Sequence, residues 1–290
     1  MRKIRVFLEM VRFHHTLFAL PFAYLGMILA ANWPLSAEPA HLPSWQQILL
    51  ITLAMVAART VAFAVNHYAD REYDAHNPRT KERPIPSGRL SPKMTLVYGS
   101  MALLLLVIAA WQLNWLTLAL LPGAIILLIG YSYTKRYTWL CHWILGATDG
   151  LAPAGAWVAV RAAVDVPAWL LWIAVTMWVA GFDLILSCLD VDSDRQDNLY
   201  SVPTQYGVAK ALQLARASHA VAVVALVAVG FFYSFGWIYW VGMTIVSGLL
   251  IYEHVIVSPT DLSRVNVAFF NVNSYVAAVA FLATTAALFI

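Results

Sequence analysis

Charged side chains are scarce in this sequence. Only 11% of the 290 residues are Asp, Glu, Lys or Arg, whereas 61% are hydrophobic and the mean hydropathy is +0.71. Soluble domains carry about 25% charged residues, so the composition excludes an ordinary soluble globular protein. It indicates an integral membrane protein in contact with membrane lipids, and we expect no nucleic-acid partner.

Cysteine is almost absent, and low-complexity tracts are missing altogether. Cys141 and Cys188 are the only cysteines, and both fall at predicted cytoplasmic helix ends. So few thiols argue against a disulfide framework and against a cysteine-based metal site. We expect residues 1–290 to form a single integral membrane domain.

Apolar runs long enough to cross a bilayer recur along the whole chain. The first follows a basic stretch but is about twenty residues long, which suits an uncleaved helix better than a signal peptide. The runs predict an all-α bundle of nine transmembrane helices. Their predicted ranges are 14–33, 48–69, 93–111, 115–133, 142–161, 166–188, 209–231, 236–257 and 266–288.

The basic residues are distributed unevenly between the predicted loops. With a cytoplasmic N-terminus, all 18 Lys and Arg residues except Arg59 and Arg161 fall at the cytoplasmic side. The starting segment contributes Arg2, Lys3, Arg5 and Arg12 to this excess. Positive residues favour the cytoplasmic side, so we predict a multi-pass protein of the cell inner (cytoplasmic) membrane with its N-terminus in the cytoplasm.

Two groups of acidic residues follow predicted membrane helices on that same side. One lies in NHYADREYD and the other in LDVDSDRQDN, and both repeat an i, i+4 spacing that places side chains on one helix face. The first group is Asp70 and Asp74, with Asn66 four residues before them on the same face. The second group is Asp190 and Asp194, with Asp197 one short turn later. A single group would be an ordinary solvated helix end, whereas two with the same spacing favour a binding site.

Facing rows of carboxylates would repel each other unless a cation lay between them. Mg²⁺ takes oxygen ligands and typically binds one or two carboxylates together with substrate phosphates. The two groups therefore predict a Mg²⁺ cofactor that bridges a diphosphate to both rows.

The first acidic group is followed at once by a basic loop. NPRTKERPIPSGRLSP, residues 77–92, contains four prolines and one glycine, so it cannot continue the helix. Arg79, Lys81 and Arg83 are candidate phosphate ligands on a loop that covers the site. Simple positive-inside anchoring is the alternative for each of them.

Further candidates for substrate binding lie on two helices. In YSYTKRYT, Tyr131 and Lys135 are i, i+4 neighbours, and the helical spacing turns Arg136 elsewhere. Lys135 is a phosphate ligand or a snorkelling anchor. Arg59 is two turns deeper than Asn66 and would bind an acidic or phenolic co-substrate, or pair with Asp149.

These segments resemble the motifs of one enzyme superfamily. NHYADREYDAHNPRTKERPIPSGRLS resembles the Asn-x-x-x-Asp-x-x-x-Asp motif and its continuation in the UbiA superfamily of intramembrane prenyltransferases. DVDSDRQD resembles the second aspartate motif of that superfamily, and YSYTKRYT its Tyr-x-x-x-Lys-Arg segment. RFHHTLFALPFAYLGMILA and FDLILSCLDVDSDRQDNLYSVP are similar to the 4-hydroxybenzoate polyprenyltransferase-like branch.

The resemblance implies a nine-helix bundle, open laterally to lipid, with its active site at the cytoplasmic side. It implies Mg²⁺-dependent transfer of a polyprenyl chain from a polyprenyl diphosphate to an aromatic acid such as 4-hydroxybenzoate, in ubiquinone or menaquinone biosynthesis. The matched acidic positions would be catalytic, namely Asp70, Asp74, Asp190 and Asp194, with Asn66 and Asp197 as further metal ligands. Lys135 and Arg83 match positions that contact diphosphate.

Two positions depart from the pattern, and two other functions stay open. His67 stands where many members have Asp, and Asp149 has no assigned counterpart. Within the superfamily, the acceptor could instead belong to haem, chlorophyll or another lipid pathway. Outside it, a transporter with acidic cytoplasmic gates is the alternative, although its ionisable residues would be expected nearer the midplane.

Overall fold

The protein is all-helical in the part that its computed structural model describes, which is residues 6–7, 13–35 and 39–290. The long helices are α1 (Phe13–Ala31), α2 (Trp45–Ala69), α4 (Pro92–Leu113), α5 (Trp115–Thr134), α6 (Cys141–Arg161), α7 (Val166–Ser187), α10 (Val208–Phe232), α11 (Trp237–Ile256) and α12 (Asn273–Phe289). The short helices are α3 (Arg71–His76), α8 (Val191–Gln196) and α9 (Val202–Tyr206), and a π-helix (Val267–Val272) runs directly into α12.

Each predicted apolar run coincides with a long helix. In the described residues, seven helices, with the π-helix counted as part of α12, are long and apolar enough to cross a membrane. The others are α1, where only Leu20–Ala31 qualifies as a shorter apolar helix, and α6, which contains Asp149. The all-α, multi-pass membrane fold is thereby confirmed, while the number of spans stays a prediction. Arg2, Lys3, Arg5 and Arg12 lie outside the described residues.

Local sequence signals begin several helices. Ser44 and Gln47 form a capping box at the start of α2, with Gln47 N donating to Ser44 Oγ at 3.2 Å. Asn114 caps α5 by accepting from the backbone N–H of Thr117, and its amide also donates to the carbonyl of Val158 at 2.8 Å. One side chain thus starts α5 and ties it to α6.

Helix α6 is packed closely between its neighbours. A Cβ added to Gly146 would collide with the carbonyl oxygen of Thr176 on α7, and one added to Gly26 on α1 would collide with Pro153 on α6. Trp157 of α6 is completely buried in the largest apolar core of the protein. Small residues let these helix backbones approach, as is usual between membrane helices.

Both acidic groups lie where a long helix bends into a short one. Asp70, between α2 and α3, has φ −91° and ψ 6°, and Asp190, between α7 and α8, has φ −102° and ψ 4°. These angles leave the helical range, so the predicted single helix face is interrupted at the first aspartate of each motif. An i to i+4 backbone bond nevertheless follows each bend, from the N–H of Asp74 to the carbonyl of Asp70 at 2.7 Å and from the N–H of Asp194 to the carbonyl of Asp190 at 2.8 Å. Just before Asp190 the bonds are of the i to i+3 type.

Candidate active site

A cavity of about 380 Å³ lies between the ends of α2, α5, α6 and α7 and the loop after α3. All six residues of the two predicted acidic groups line it. So do most of the predicted substrate-binding residues, which are Arg59, Arg79, Arg83, Tyr131 and Lys135. The two motifs, more than a hundred residues apart in the chain, therefore face a common space.

The second acidic group is paired with basic residues from other segments. Arg79 binds Asp190 in a bidentate manner, with Nη2–Oδ2 at 2.7 Å and Nε–Oδ1 at 3.0 Å, and Asn77 adds a third bond at 3.0 Å. Lys135 Nζ lies 2.8 Å from Asp194 Oδ1, while Asp194 Oδ2 is buried without a hydrogen-bond partner. One oxygen of Asp194 thus keeps unused capacity to accept a hydrogen bond or bind a cation.

The first acidic group is paired in the same way. Arg83 Nη1 donates to both oxygens of Asp74, at 2.9 and 2.8 Å. Asn66 Nδ2 donates to Asp70 Oδ2 at 2.9 Å, and Arg136 Nη2 lies 3.4 Å from Asp70 Oδ1. Four basic side chains from two segments thus hold the four central carboxylates.

The charges of the cavity do not cancel. Seven Asp side chains line it against five Arg and Lys side chains, so carboxylates exceed fixed cations by two. Burial, and next the negative charge of Asp74, raise the pKa of Asp70 to about 6. The cavity is therefore short of positive charge.

Two aspartates of the second motif, Asp190 and Asp194, have pKa values shifted in opposite directions. Burial alone would raise the pKa of Asp190, but the hydrogen bonds and charge of Arg79 outweigh burial and lower it. For Asp194, burial prevails over the opposing effect of Lys135, and its pKa is raised. Of the two, Asp194 gains more from a further positive charge.

The basic loop contributes only some of its cations. Lys81 and Arg89 are exposed and do not line the cavity, and Arg89 donates to the carbonyl of Glu82 instead. Ile85 and Leu90 of the same loop are buried against Ala64 of α2. This apolar anchor orients Arg79 and Arg83 inward and leaves Lys81 in solvent.

Arg136 lies in the cavity, contrary to the expectation from helical spacing. Helix α5 ends at Thr134, and the turn that follows no longer obeys the helical phase. Arg136 donates to the carbonyl of Ala69 at 2.7 Å and lies over the rings of Tyr133 and Tyr73, at 4.8 and 5.1 Å. It therefore holds the bend at Asp70 in place.

The deeper part of the cavity contains Arg59 and Asp149. Arg59 lies over the ring of Phe63 at 5.2 Å, and its Nε is buried without a partner. The predicted alternative, an ion pair with Asp149, is not formed within 4.0 Å among the described residues. Tyr131 donates to the carbonyl of Ala62 at 3.1 Å.

A second cavity, of about 440 Å³, meets the first at Arg59 and Asp149. It lies between α2, α5 and α6, and its wall is apolar apart from these two residues, Thr117 and Thr148. The first cavity is lined by charged residues and the second by apolar ones, so together they form a continuous space with a charged part and an apolar part.

Sequence reasoning missed a histidine–aspartate pair on the wall of the first cavity. His142 Nδ1 lies 2.6 Å from Asp183 Oδ2, and His142 is 1% exposed. These residues stand on α6 and α7, in apolar sequence that repeats no recognisable spacing. Only the helix packing reveals that they meet.

Aromatic rings form another part of the cavity wall. Trp178 contacts Phe22 and Phe182, with ring centroids 4.9 and 5.2 Å apart, and Phe182 contacts Phe269 of the π-helix at 5.2 Å. Trp178 Nε1 donates to Asn273 Oδ1 at 2.6 Å, and this hydrogen bond fixes the orientation of the indole ring. Aromatic faces attract cations, so this wall suits a positively charged intermediate.

Comparison with known proteins identifies the family. The model of the UbiA prenyltransferase family matches residues 19–275. The chain belongs to this family. It is therefore a prenyltransferase, as its motifs predicted, and the transporter alternative is dropped.

Individual UbiA relatives are similar over nearly the whole chain. The chain is 32% identical to a 4-hydroxybenzoate octaprenyltransferase of Klebsiella pneumoniae, covering 90% of each protein. It is 28% identical to the enzyme of the same name from Tolumonas auensis, covering 87% of this chain and 88% of that protein. The predicted 4-hydroxybenzoate polyprenyltransferase-like branch is thus confirmed.

Solved UbiA structures share the fold. The apo structure of a UbiA homolog from Aeropyrum pernix K1 superposes with a TM-score of 0.83 at 31% identity, covering 95% of this chain and 98% of that one. A UbiA homolog from Archaeoglobus fulgidus bound to GPP and Mg²⁺ matches with a TM-score of 0.64 at 20% identity, covering 95% and 99%.

Proposed function

We propose that this protein transfers a polyprenyl chain from a polyprenyl diphosphate to an aromatic acid of the 4-hydroxybenzoate type, with Mg²⁺ as cofactor, in quinone biosynthesis. One observation carries the proposal. The residues of both acidic motifs and five basic side chains surround a cavity, and this cavity meets a second, apolar one. A polyprenyl diphosphate has the same division, with a polyanionic head and a long hydrocarbon chain.

The chemistry of the donor set supports a divalent cation. Among the described residues no three His, Cys, Asp or Glu side chains are arranged to hold a metal by themselves. The cavity nevertheless has an excess of two carboxylates, and Asp194 Oδ2 is a buried oxygen without a donor. A diphosphate would deepen the negative excess, so it requires added cations, and oxygen ligands suit Mg²⁺.

The ligands of that cation would be the Asn and Asp residues at the two bends. They are Asn66, Asp70 and Asp74 at the first, and Asp190, Asp194 and Asp197 at the second. Bound there with diphosphate, Mg²⁺ would supply Lewis-acid stabilisation of the leaving group.

The basic side chains would hold the diphosphate. Arg79, Arg83 and Lys135 are 39%, 26% and 33% exposed, so they can contact phosphate oxygens in the cavity. Charge-assisted hydrogen bonds of this kind are short and strong. They would stabilise the negative charge that develops when the allylic carbon–oxygen bond breaks.

The acceptor and the chain would occupy the deeper space. Arg59 has a buried Nε without a partner and would bind the carboxylate of the aromatic acid. The second cavity would take the first part of the isoprenoid chain. Trp178 and Phe182 line the first cavity, where their rings would stabilise the allylic cation and exclude water.

Transfer from a labelled prenyl diphosphate, measured in membranes with and without Mg²⁺, tests the proposal. We expect Asp70→Asn and Asp190→Asn to abolish transfer, because each removes a proposed ligand charge. Asp192→Asn is the matched control, since Asp192 belongs to the same motif but is exposed and outside the cavity. Full activity in the first two variants would refute the assignment.

A panel of aromatic acids, with products identified by mass spectrometry, tests the acceptor. We expect transfer to 4-hydroxybenzoate, with retention of its carboxylate. A product formed only with another acceptor class would contradict the quinone-type reaction while leaving prenyl transfer intact.

A further inference from the structure

His142 and Asp183 form a pair whose hydrogen bonds fix its protonation. His142 Nε2 accepts from the backbone N–H of Val202 at 3.2 Å, so that nitrogen carries no proton. Nδ1 therefore carries a proton, which is donated to Asp183 Oδ2 at 2.6 Å. This bond leaves Asp183 as an acceptor, which is the form of a base.

The second oxygen of Asp183 is available to the cavity. Among the described residues Asp183 Oδ1 has no hydrogen-bond partner, and the side chain is 25% exposed on the cavity wall. One carboxylate oxygen is thus held by a buried histidine while the other faces the substrate space. A base positioned by a third group is a common arrangement in catalytic sites.

The position of Asp183 along α7 matches the expected place of the acceptor. Asp183 precedes Asp190 by seven residues, which is about two turns or about 10 Å on a helix. On α2, Arg59 precedes Asp70, the aspartate at the other bend, by eleven residues, so it lies about one turn deeper than Asp183. Asp183 therefore lies, along the helix axis, between the carboxylates that would hold the diphosphate and the arginine that would bind the acceptor.

We propose that Asp183 is the base that removes the ring proton of the acceptor, an inference that rests on the proposed function. The allylic carbon–oxygen bond breaks and its electron pair leaves with the diphosphate, while a ring carbon of the acceptor forms the new carbon–carbon bond. The carbon–hydrogen bond at that ring carbon then breaks, its electrons restore the aromatic ring, and the proton passes to Asp183 Oδ1. His142 is a positioning residue that holds the carboxylate through Oδ2.

A kinetic isotope effect separates this role from a structural one. The acceptor is deuterated at the ring carbons beside its hydroxyl group, and transfer is measured for the wild type, Asp183→Asn and Asp192→Asn. The wild type is expected to show no isotope effect, because loss of the ring proton follows a slower ionisation. Asp183→Asn keeps an acceptor for His142 but removes the base, so kcat should fall about 100-fold and a primary isotope effect should appear.

Two further variants keep the inference testable if the amide variant folds poorly. Asp183→Glu retains a carboxylate at a shifted position and should show a smaller fall in kcat together with the isotope effect. His142→Gln retains a donor and should preserve most of the activity, whereas His142→Ala should resemble Asp183→Glu. The KM for the prenyl diphosphate should stay unchanged in all of them.

The results that would overturn the inference are distinct from those that concern the overall reaction. Asp183→Asn with normal kcat, or Asp183→Asn and Asp183→Glu with lowered kcat and no isotope effect, would show that the pair only joins α6 to α7. Absence of transfer in the wild type would instead refute the proposed function, on which this step rests. The exposed Asp192→Asn should match the wild type throughout.

Discussion

Arg83 and Lys81 stand two residues apart in one loop and have different surroundings. Arg83 binds both oxygens of Asp74 and lines the cavity, whereas Lys81 is exposed. We expect Arg83→Ala to raise the KM for prenyl diphosphate roughly tenfold or more, since a hydrogen bond to a charged group contributes about 1.5–3 kcal/mol. Lys81→Ala should change KM less than twofold, as measured by initial rates at varied donor concentration.

Equal effects of the two substitutions would contradict this distinction. They would mean that the loop acts through its overall positive charge and not through particular contacts. Raising the ionic strength separates the cases, because screening weakens exposed charges more than partly buried ones.

Residue types and spacing predicted the acidic groups of the cavity but not their partners. Asp70 and Asp190 could be found because an i, i+4 pattern of carboxylates is rare after an apolar helix. Arg136 and the His142–Asp183 pair could not, because their positions depend on a helix end and on the packing of two helices. Lys81 carries the same charge as Arg83, so the sequence does not show which of them faces the cavity. The loop conformation set by the burial of Ile85 and Leu90 decides this.

The nine long helices could be predicted from apolar runs, within a few residues at most ends, in the part of the chain that the structure describes. The bends at Asp70 and Asp190 could not. At the first bend the i to i+4 backbone bonds continue, whereas before the second bend the N–H groups of Cys188, Leu189 and Asp190 bond to the carbonyl three residues back. The spacing of the acidic residues is compatible with a straight helix in both motifs, so it does not reveal either bend. The change of direction is set by tertiary contacts, among them the bond from Arg136 to the carbonyl of Ala69.

The π-helix before α12 depends on one buried amide. Asn273 accepts from Trp178 Nε1 and donates to Glu253 Oε1 at 3.1 Å and to the carbonyl of Ala268 at 3.1 Å. Asn273→Ala would leave buried groups of Trp178 and Glu253 without partners, which destabilises by about 1–3 kcal/mol per group. We expect a lower unfolding temperature in detergent and slower transfer, because the aromatic wall loses its support.

Asn266→Ala is the matched control for that substitution. Asn266 precedes the same π-helix but is exposed and makes no capping hydrogen bond. An unchanged unfolding temperature in Asn273→Ala would contradict a supporting role of the network.

The candidate site lies at one end of the helix bundle, and the apolar cavity lies deeper within it. If the N-terminus is cytoplasmic, the loop at Ser87 lies in the cytoplasm and the loop at Val164 on the opposite side. Both residues are exposed, whereas the native Cys141 and Cys188 are buried. In intact cells, a membrane-impermeant maleimide should label Val164→Cys and should label Ser87→Cys only after the membrane is opened.

Labelling of Ser87→Cys in intact cells would reverse the predicted orientation. Labelling of both variants before the membrane is opened would contradict the odd number of helices that separates these loops from each other. The unsubstituted protein measures the background from the two native cysteines.

The pairing of Arg79, Arg83, Lys135 and Arg136 with aspartates has a consequence for turnover. In the proposed reaction, when diphosphate leaves with its cations, these four side chains would return to the carboxylates that the structure shows them holding. Product departure would then leave each of these four aspartates beside a basic side chain, whereas unpaired charges beside the membrane hydrocarbon are unfavourable. The paired arrangement described here would be the form that receives the next donor.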